Sequence, residues 1–180
     1  MSKDDDGPQD APLDETAGPF DPSSTSGIND LYGRPGFLLR RAQQIAVGLF
    51  IKECAEFDLT PPQHSILLVL KGYPGLDQST LAEALGYDRA TIGQMLERLE
   101  TRGLAVRVGS VEDRRRKLLA LTADGEALVD QASGAINNVS TRLLSPLSPS
   151  ERELFVQLLR RVTDALNSES RTPVRPPEPR

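Results

Sequence analysis

Residues 76–128 read LDQSTLAEALGYDRATIGQMLERLETRGLAVRVGSVEDRRRKLLALTADGEAL, and the punctuation of this stretch decides the fold. Asp77 stands where a carboxylate caps a short helix carrying Leu81, Ala82 and Leu85, which Gly86 ends by supplying the left-handed conformation of a tight turn. Asp88 caps the next helix, with Ile92, Met95, Leu96 and Leu99 inward and Gly103 closing it. Two short helices joined by a Gly-containing turn make a helix-turn-helix. After Gly103 the period changes from helical to two. Leu104, Val106 and Val108 alternate with Ala105 and Arg107, a second strand follows at Lys117 to Leu121, and a basic hairpin loop links them.

On the N-terminal side, Leu38, Ala42, Ile45 and Leu49 make one stripe, with Ala46, Phe50, Cys54 and Phe57 beside it, so a first helix is expected from near Pro35 to near Phe57. Thr60, Pro61, Pro62 and Gln63 combine a capping residue, proline in the first turn and Gln at the third helical position. A second helix starts there and runs through Ile66, Leu67 and Leu70 to Gly72. On the C-terminal side, Thr122 starts a long helix with Leu128, Ala132, Ala135 or Ile136, Val139 and Leu143 on one face, interrupted near Pro146. Ser148 to Glu151 forms a capping box for a last helix striped with Leu154, Phe155, Leu158, Leu159, Val162 and Leu166. A three-helix module with a wing does not need these long outer helices, which together with the first look like a dimerisation platform.

The expected fold is therefore mainly α with a small β-hairpin wing, an α+β winged helix-turn-helix flanked by N- and C-terminal dimerisation helices. Residues 1–30 are expected to form a disordered acidic tail, 31–167 the winged-helix domain with its dimerisation helices (60–122 being the DNA-binding core), and 168–180 a flexible Pro-rich tail. The net charge of −5 is acidic, but residues 1–30 hold eight acids against Lys3 alone. The remainder is net basic, and residues 87–121 carry eight Lys or Arg against five acids, concentrated at Arg114 to Lys117. That local balance is what a phosphate backbone meets.

Chemically, a helix in a major groove reads bases with side chains near its N-terminus. Arg89, Thr91, Gln94, Met95 and Arg98 lie on or beside the face left when Ile92, Leu96 and Leu99 turn inward, although Met95 fits the core equally well. Gln94 suits adenine, Arg89 or Arg98 suits guanine or phosphate, and Ser79 and Thr80 suit phosphate. Arg114, Arg115, Arg116 and Lys117 arm the wing. Taken singly, each of these residues is as much at home on an ordinary solvated surface; it is their place in and after a helix-turn-helix that favours nucleic acid. An enzyme is disfavoured, since the one histidine, His64, has no nucleophile partner in a recognisable motif, and neither a Gly-rich phosphate loop nor metal-ligand spacing is present. No cofactor and no metal is expected. The lone Cys54 cannot form an intrachain disulfide, no apolar run is long enough to span a membrane and the start lacks a signal peptide's apolar run, so a cytoplasmic protein is the expectation.

In order and spacing, residues 76–128 resemble the MarR family of winged-helix regulators. The likeness rests on Gln78-x-x-Leu81-Ala82, on Arg98-Leu99-Glu100-x-Arg102-Gly103-Leu104 running into the wing, on Asp113 with Arg115 at the wing tip, and on Leu121-Thr122-x-x-Gly125. It extends more loosely over residues 31–166. It implies a homodimer on double-stranded DNA with a pseudo-palindromic operator, Arg115 entering the minor groove with Asp113 orienting it, and Arg114, Arg116 and Lys117 meeting phosphates. RPGFLLRRAQQIAVGLF (34–50) and GLDQSTLAEALGYDRATI (75–92) look most like the branch controlling catabolism of aromatic compounds, which implies a repressor released by a small aromatic acid or aryl-coenzyme A effector. Arg40, Arg41 and His64 are the candidate effector contacts, each with a plain structural role as the alternative. Two other readings compete: a thiol redox sensor through Cys54, for which the cysteine's place late in the first helix on an apolar stripe is unfavourable, and a protein-interaction winged helix that never binds DNA.

Overall fold

A computed structural model of the chain describes residues 31–109 and 117–178. The chain divides into two compact units, Met1–Gln43 and Gln44–Arg180, so the division falls within the first long helix rather than at an edge of the expected domain. The helices are α1 (Pro35–Glu53), α2 (Pro61–Gly72), α3 (Gln78–Leu85), α4 (Arg89–Thr101), α5 (Ala123–Leu143) and α6 (Pro149–Ala165). The strands are β1 (Leu76–Asp77), β2 (Ala105–Gly109) and β3 (Lys117–Leu121), paired antiparallel in the order β1-β3-β2.

In the first unit, residues 31–33 form a helical turn before α1 begins. The Tyr32 and Phe37 rings meet edge to face at 5.3 Å between centroids, and the Arg40 guanidinium lies 4.9 Å from the Phe37 centroid in a cation–π contact.

In the second unit, α1 ends at Glu53, earlier than its apolar stripe suggests. Residues Ala55–Phe57 form a 3-10 turn instead, and Asp58 closes it at φ 47°, a left-handed conformation that turns the chain towards α2. Thr60 and Gln63 make the expected reciprocal cap, Gln63 N donating to Thr60 Oγ1 at 3.4 Å and Thr60 N to Gln63 Oε1 at 3.0 Å. The core gathers Ile66, Leu67 and Leu70 of α2, Leu81 of α3, and Ile92, Leu96 and Leu99 of α4, all fully buried. Leu119 of β3 and Val129 and Ala132 of α5 close it. Lys71 pairs with Asp130 and Arg142 with Glu53, tying α5 to α2 and to the end of α1.

The wing's period of two runs over residues 105–108: Ala105 is buried and Arg107 half-buried, while Val106 and Val108 are exposed, and Leu104 before them is buried as well. On the inner face Arg107 reaches an ion pair with Glu100 of α4 at 2.8 Å. β1 is a two-residue strand, too short to leave a period, and pairs through Leu76 with Leu119. The segment expected as a flexible tail is likewise hydrogen-bonded: Thr172 and Arg175 bond to the α3 end of the helix-turn-helix. Its prolines rule out helix but not such contacts.

The helix-turn-helix and wing join α5 at one crossing. Thr122 Oγ1 donates to Gly103 O at 2.6 Å and accepts from Gly125 N at 3.0 Å, while Thr122 N donates to Leu104 O at 3.2 Å. A Cβ on Gly125 would stand 2.0 Å from Leu104 O and 3.0 Å from its carbonyl carbon, both backbone atoms held by the wing. Gly125→Ala is therefore expected to destabilise the protein by about 3 kcal/mol, lowering its melting temperature by roughly 10 °C; a variant that melts with the parent would show that the approach is not enforced.

His64, in the first turn of α2, packs beside Phe50 with 6.1 Å between ring centroids, and burial pushes its imidazole below the usual histidine range. The fold thus favours the neutral ring, so the unfolded chain takes up the proton first as pH falls. Stability is whole above the ordinary histidine value of about 6.5 and declines below it. Denaturant melts between roughly pH 7 and 5 should show this decline in the parent and not in His64→Gln; equal slopes in both would remove His64 as its source.

Candidate nucleic-acid interface

Two aspartates aim the helix-turn-helix. Asp77 Oδ1 accepts from Ser79 N at 3.1 Å, Thr80 N at 2.9 Å and Thr80 Oγ1 at 3.1 Å, fixing the start of α3. Asp88 accepts from Thr91 N at 2.8 Å and Thr91 Oγ1 at 2.7 Å, fixing the start of α4, the recognition helix. These bonds to Thr91 hold the Asp88 carboxyl below its usual range, so the cap stays charged. Between them Gly86 ends α3 at φ 67°.

The caps bear on two of the sequence-derived assignments, Thr80 on phosphate and Thr91 on the base-reading face. The hydroxyl hydrogens of Thr80 and Thr91 are given to Asp77 and Asp88, and the Thr80 amide is spent there too. A phosphate only accepts hydrogen bonds, so neither hydroxyl serves as its donor while the cap is closed. Their work is to position the helices. Met95 packs against the core, as one of its two readings allowed.

Arg89, Gln94 and Arg98 are exposed along α4. Arg89, Ser79 and Lys117 come together around one cleft of about 300 Å³, with Asp77, Gln78, Arg107 and Leu119 completing its wall. Gln94 and Arg98 border a second, wider groove of about 880 Å³ that reaches the corner between α1 and α2. Arg89 and Lys117 thus share the cleft at the N-terminal end of α4, whereas Arg98 lies towards the C-terminal end of that helix beside the other groove. Asp113, Arg114, Arg115 and Arg116 lie outside the described residues.

Sequence reasoning missed what locks wing to recognition helix. Gln78 Nε2 donates to Arg89 O at 2.9 Å, and Gln78 Oε1 accepts from Arg107 Nη2 at 3.5 Å, while Arg107 also pairs with Glu100. One amide and one guanidinium therefore hold α3, α4 and β2 together. The signal was Gly93, a glycine inside a helix where alanine is better by about 1 kcal/mol. A Cβ there would lie 2.9 Å from Gln78 Nε2, so the glycine makes the notch the amide occupies. At the other end of α4, Arg102 donates to Asp58 O at 2.5 Å and to Phe57 O at 3.0 Å, clamping the helix to the turn before α2.

The remaining candidates fall in separate places. Arg40 and Arg41 belong to the first unit, where both are exposed, and His64 to the second. Cys54 is buried, at 1% exposure, and burial together with the carboxylates of Glu53 and Glu56 pushes its thiol up. Its thiolate, the form an oxidant attacks, is disfavoured. Among the described residues no group of three His, Cys, Asp or Glu is placed to hold a metal, and no helix is long and apolar enough to cross a membrane.

Against this geometry, comparison with known proteins is consistent. A model described as MarR family matches residues 57–116. The transcriptional regulator HosA of Escherichia coli O157:H7 is 40% identical over 105 residues, covering 58% of this chain and 78% of HosA. The transcriptional repressor CouR, solved bound to a 23-mer DNA duplex, superposes with a TM-score of 0.72 at 34% identity, over 78% of this chain and 99% of CouR. BpsR of Bordetella bronchiseptica, solved in a study of how 6-hydroxynicotinic acid regulates its DNA binding, superposes with a TM-score of 0.71 at 30% identity, over 78% and 99%. A helix-turn-helix with capped helices, an antiparallel wing and flanking long helices is the shared architecture, and the chain belongs to the MarR family of transcriptional regulators.

Proposed function

We propose that this regulator acts as a homodimeric repressor that grips a pseudo-palindromic operator and is released by a small aromatic acid or an aryl-coenzyme A. The observation that carries the dimer is α6. It has the apolar stripe of a packed helix, yet none of its residues is buried, and Leu154, Phe155, Leu158 and Val162 are each 41–53% exposed. An apolar face of that extent on a soluble helix calls for a partner, and a second copy supplies the two-fold symmetry a palindromic site needs.

In this reading Arg89, Gln94 and Arg98 meet the major groove, with Ser79 and Lys117 on flanking phosphates. Arg115, oriented by Asp113, enters the minor groove, and Arg114 and Arg116 lie against its rim. The likeness to CouR bound to DNA supports the partner, and the regulation of BpsR by 6-hydroxynicotinic acid supports the class of effector. Arg40 and Arg41 of the first unit are the residues we assign to the effector's acid group; His64, in the second unit, is a separate candidate contact whose neutral ring could only donate one hydrogen bond. A guanidinium fits a carboxylate bidentately and a phosphate equally well, which suits both the free acid and its coenzyme A thioester.

Sedimentation at micromolar concentration should give a dimer for the parent chain and a monomer for Leu158→Glu, which places a carboxylate on the α6 stripe and should lose operator binding with it. A monomeric parent that still binds DNA tightly would refute the dimer. For the effector, 4-hydroxybenzoate, 6-hydroxynicotinate and an aryl-coenzyme A, titrated into the protein–DNA complex, should include one that releases the duplex. That compound should act about ten-fold more weakly on Arg40→Ala or Arg41→Ala, the loss of one charge-assisted contact. DNA binding indifferent to all three would overturn this assignment.

A further inference from the structure

The C-terminal segment beyond α6 doubles back onto the helix-turn-helix. Asn167 closes a ring with Val174, its Nδ2 donating to Val174 O and its Oδ1 accepting from Val174 N, each at 2.9 Å. Thr172 Oγ1 then donates to Gly86 O at 2.6 Å, and Arg175 N to Glu83 O at 2.9 Å. Glu83 O and Gly86 O are carbonyls at the C-terminal end of α3, where an α-helix runs out of its own donors; from the helix end Glu83 O receives only the long bond of Gly86 N at 3.3 Å. The Arg175 guanidinium stands 3.9 Å from the Glu83 carboxylate, at the end of a helix that favours a cation. Gly86 fits the arrangement twice over. Its positive φ suits glycine, and a Cβ there would sit 2.9 Å from Val174 Cγ2 and 3.2 Å from Thr172 O.

We propose that residues 167–175 are a strap that positions the recognition helix relative to α6, with Thr172 as its positioning residue for DNA binding. Gly86 lies two residues before Asp88, the cap of α4, so what holds Gly86 holds the entry of the recognition helix. At its other end the strap continues directly from α6, which ends at Ala165. Ordering a terminal segment costs backbone entropy, and Pro173, Pro176 and Pro177 reduce that cost by restricting the free chain beforehand. Resting on the dimeric reading above, the strap narrows the range of positions each reading head explores, so that two heads meet two half-sites with less to order on binding.

The test uses the full chain as parent, Thr172→Val, which keeps the shape and deletes the donor, and Thr172→Ser, which keeps the donor. The probe is a duplex that the parent recovers from a random-sequence pool. In Thr172→Val, amide hydrogen exchange at Val174 and Arg175 should quicken and the dissociation constant for the duplex should rise by about five-fold or more. The slope of log affinity against log salt and the sedimentation coefficient should stay at parental values, and Thr172→Ser should match the parent throughout. Equal affinity in Thr172→Val and parent overturns the strap, as does an equal loss in Thr172→Ser. A salt slope reduced by about one contact also overturns it, because the segment would then be touching phosphate rather than positioning the helix. If the parent recovers no duplex, the DNA-binding reading fails and takes the strap's role with it, while accelerated exchange in Thr172→Val alone would still place the fault in that reading and not in the contact.

Discussion

The helix-turn-helix and wing meet the long helix α5 at the crossing of residues 103–104 with residues 122–125. There the recognition helix has ended, the wing is about to begin, and α5 starts, all within hydrogen-bonding distance of one another. Thr122 bonds to the carbonyls of Gly103 and Leu104, and Gly125 lets the first turn of α5 press against Leu104 O. A larger residue at 125 would have to move either the wing or the long helix. Neither is free, since Leu104 and Ala105 are buried on one side and Val129 and Ala132 on the other. The angle between α4 and α5 is thereby set by backbone contact, which does not repack as side chains do.

From that joint the structure is a series of small polar clamps on one apolar core. Arg102 holds the far end of α4, the Gln78–Arg107–Glu100 set holds its flank to the wing, and the Asp77 and Asp88 caps hold the entries of α3 and α4. A net hydrogen bond contributes only about 1 kcal/mol, so these clamps add little to stability beside the burial of Leu, Ile and Val. Their effect is on direction. On the proposed reading α4 must present Arg89, Gln94 and Arg98 at fixed places, and many weak, directional contacts achieve that better than a non-directional core alone.

What was legible in the sequence follows from the range of the forces involved. The caps at Thr60, Asp77, Asp88 and Thr122 join residues two or three apart, so a single chain reveals them, and with them the helix-turn-helix. The core faces of α2 to α5 follow from helical periodicity. The period of two marked the wing strand but not which of its faces turns inward, because the partners of Arg107, Glu100 and Gln78, are 7 and 29 residues away. The docking of residues 172–175 onto Glu83 and Gly86 left no trace because it uses backbone groups, one hydroxyl and a long Arg175–Glu83 ion pair between residues 92 apart, none of which makes a local pattern. For the candidate site, composition and order found the exposed cations, but not that Thr80 and Thr91 are committed to the caps.

The central claim is that two such heads, fixed by the same joint, read one duplex together. Hydroxyl-radical footprinting of the full chain on a duplex it selects tests this most directly. The account predicts two protected patches related by two-fold symmetry, their centres about one helical turn, or a whole number of turns, apart. A single asymmetric patch, or protection that spreads evenly along any sequence, would contradict it.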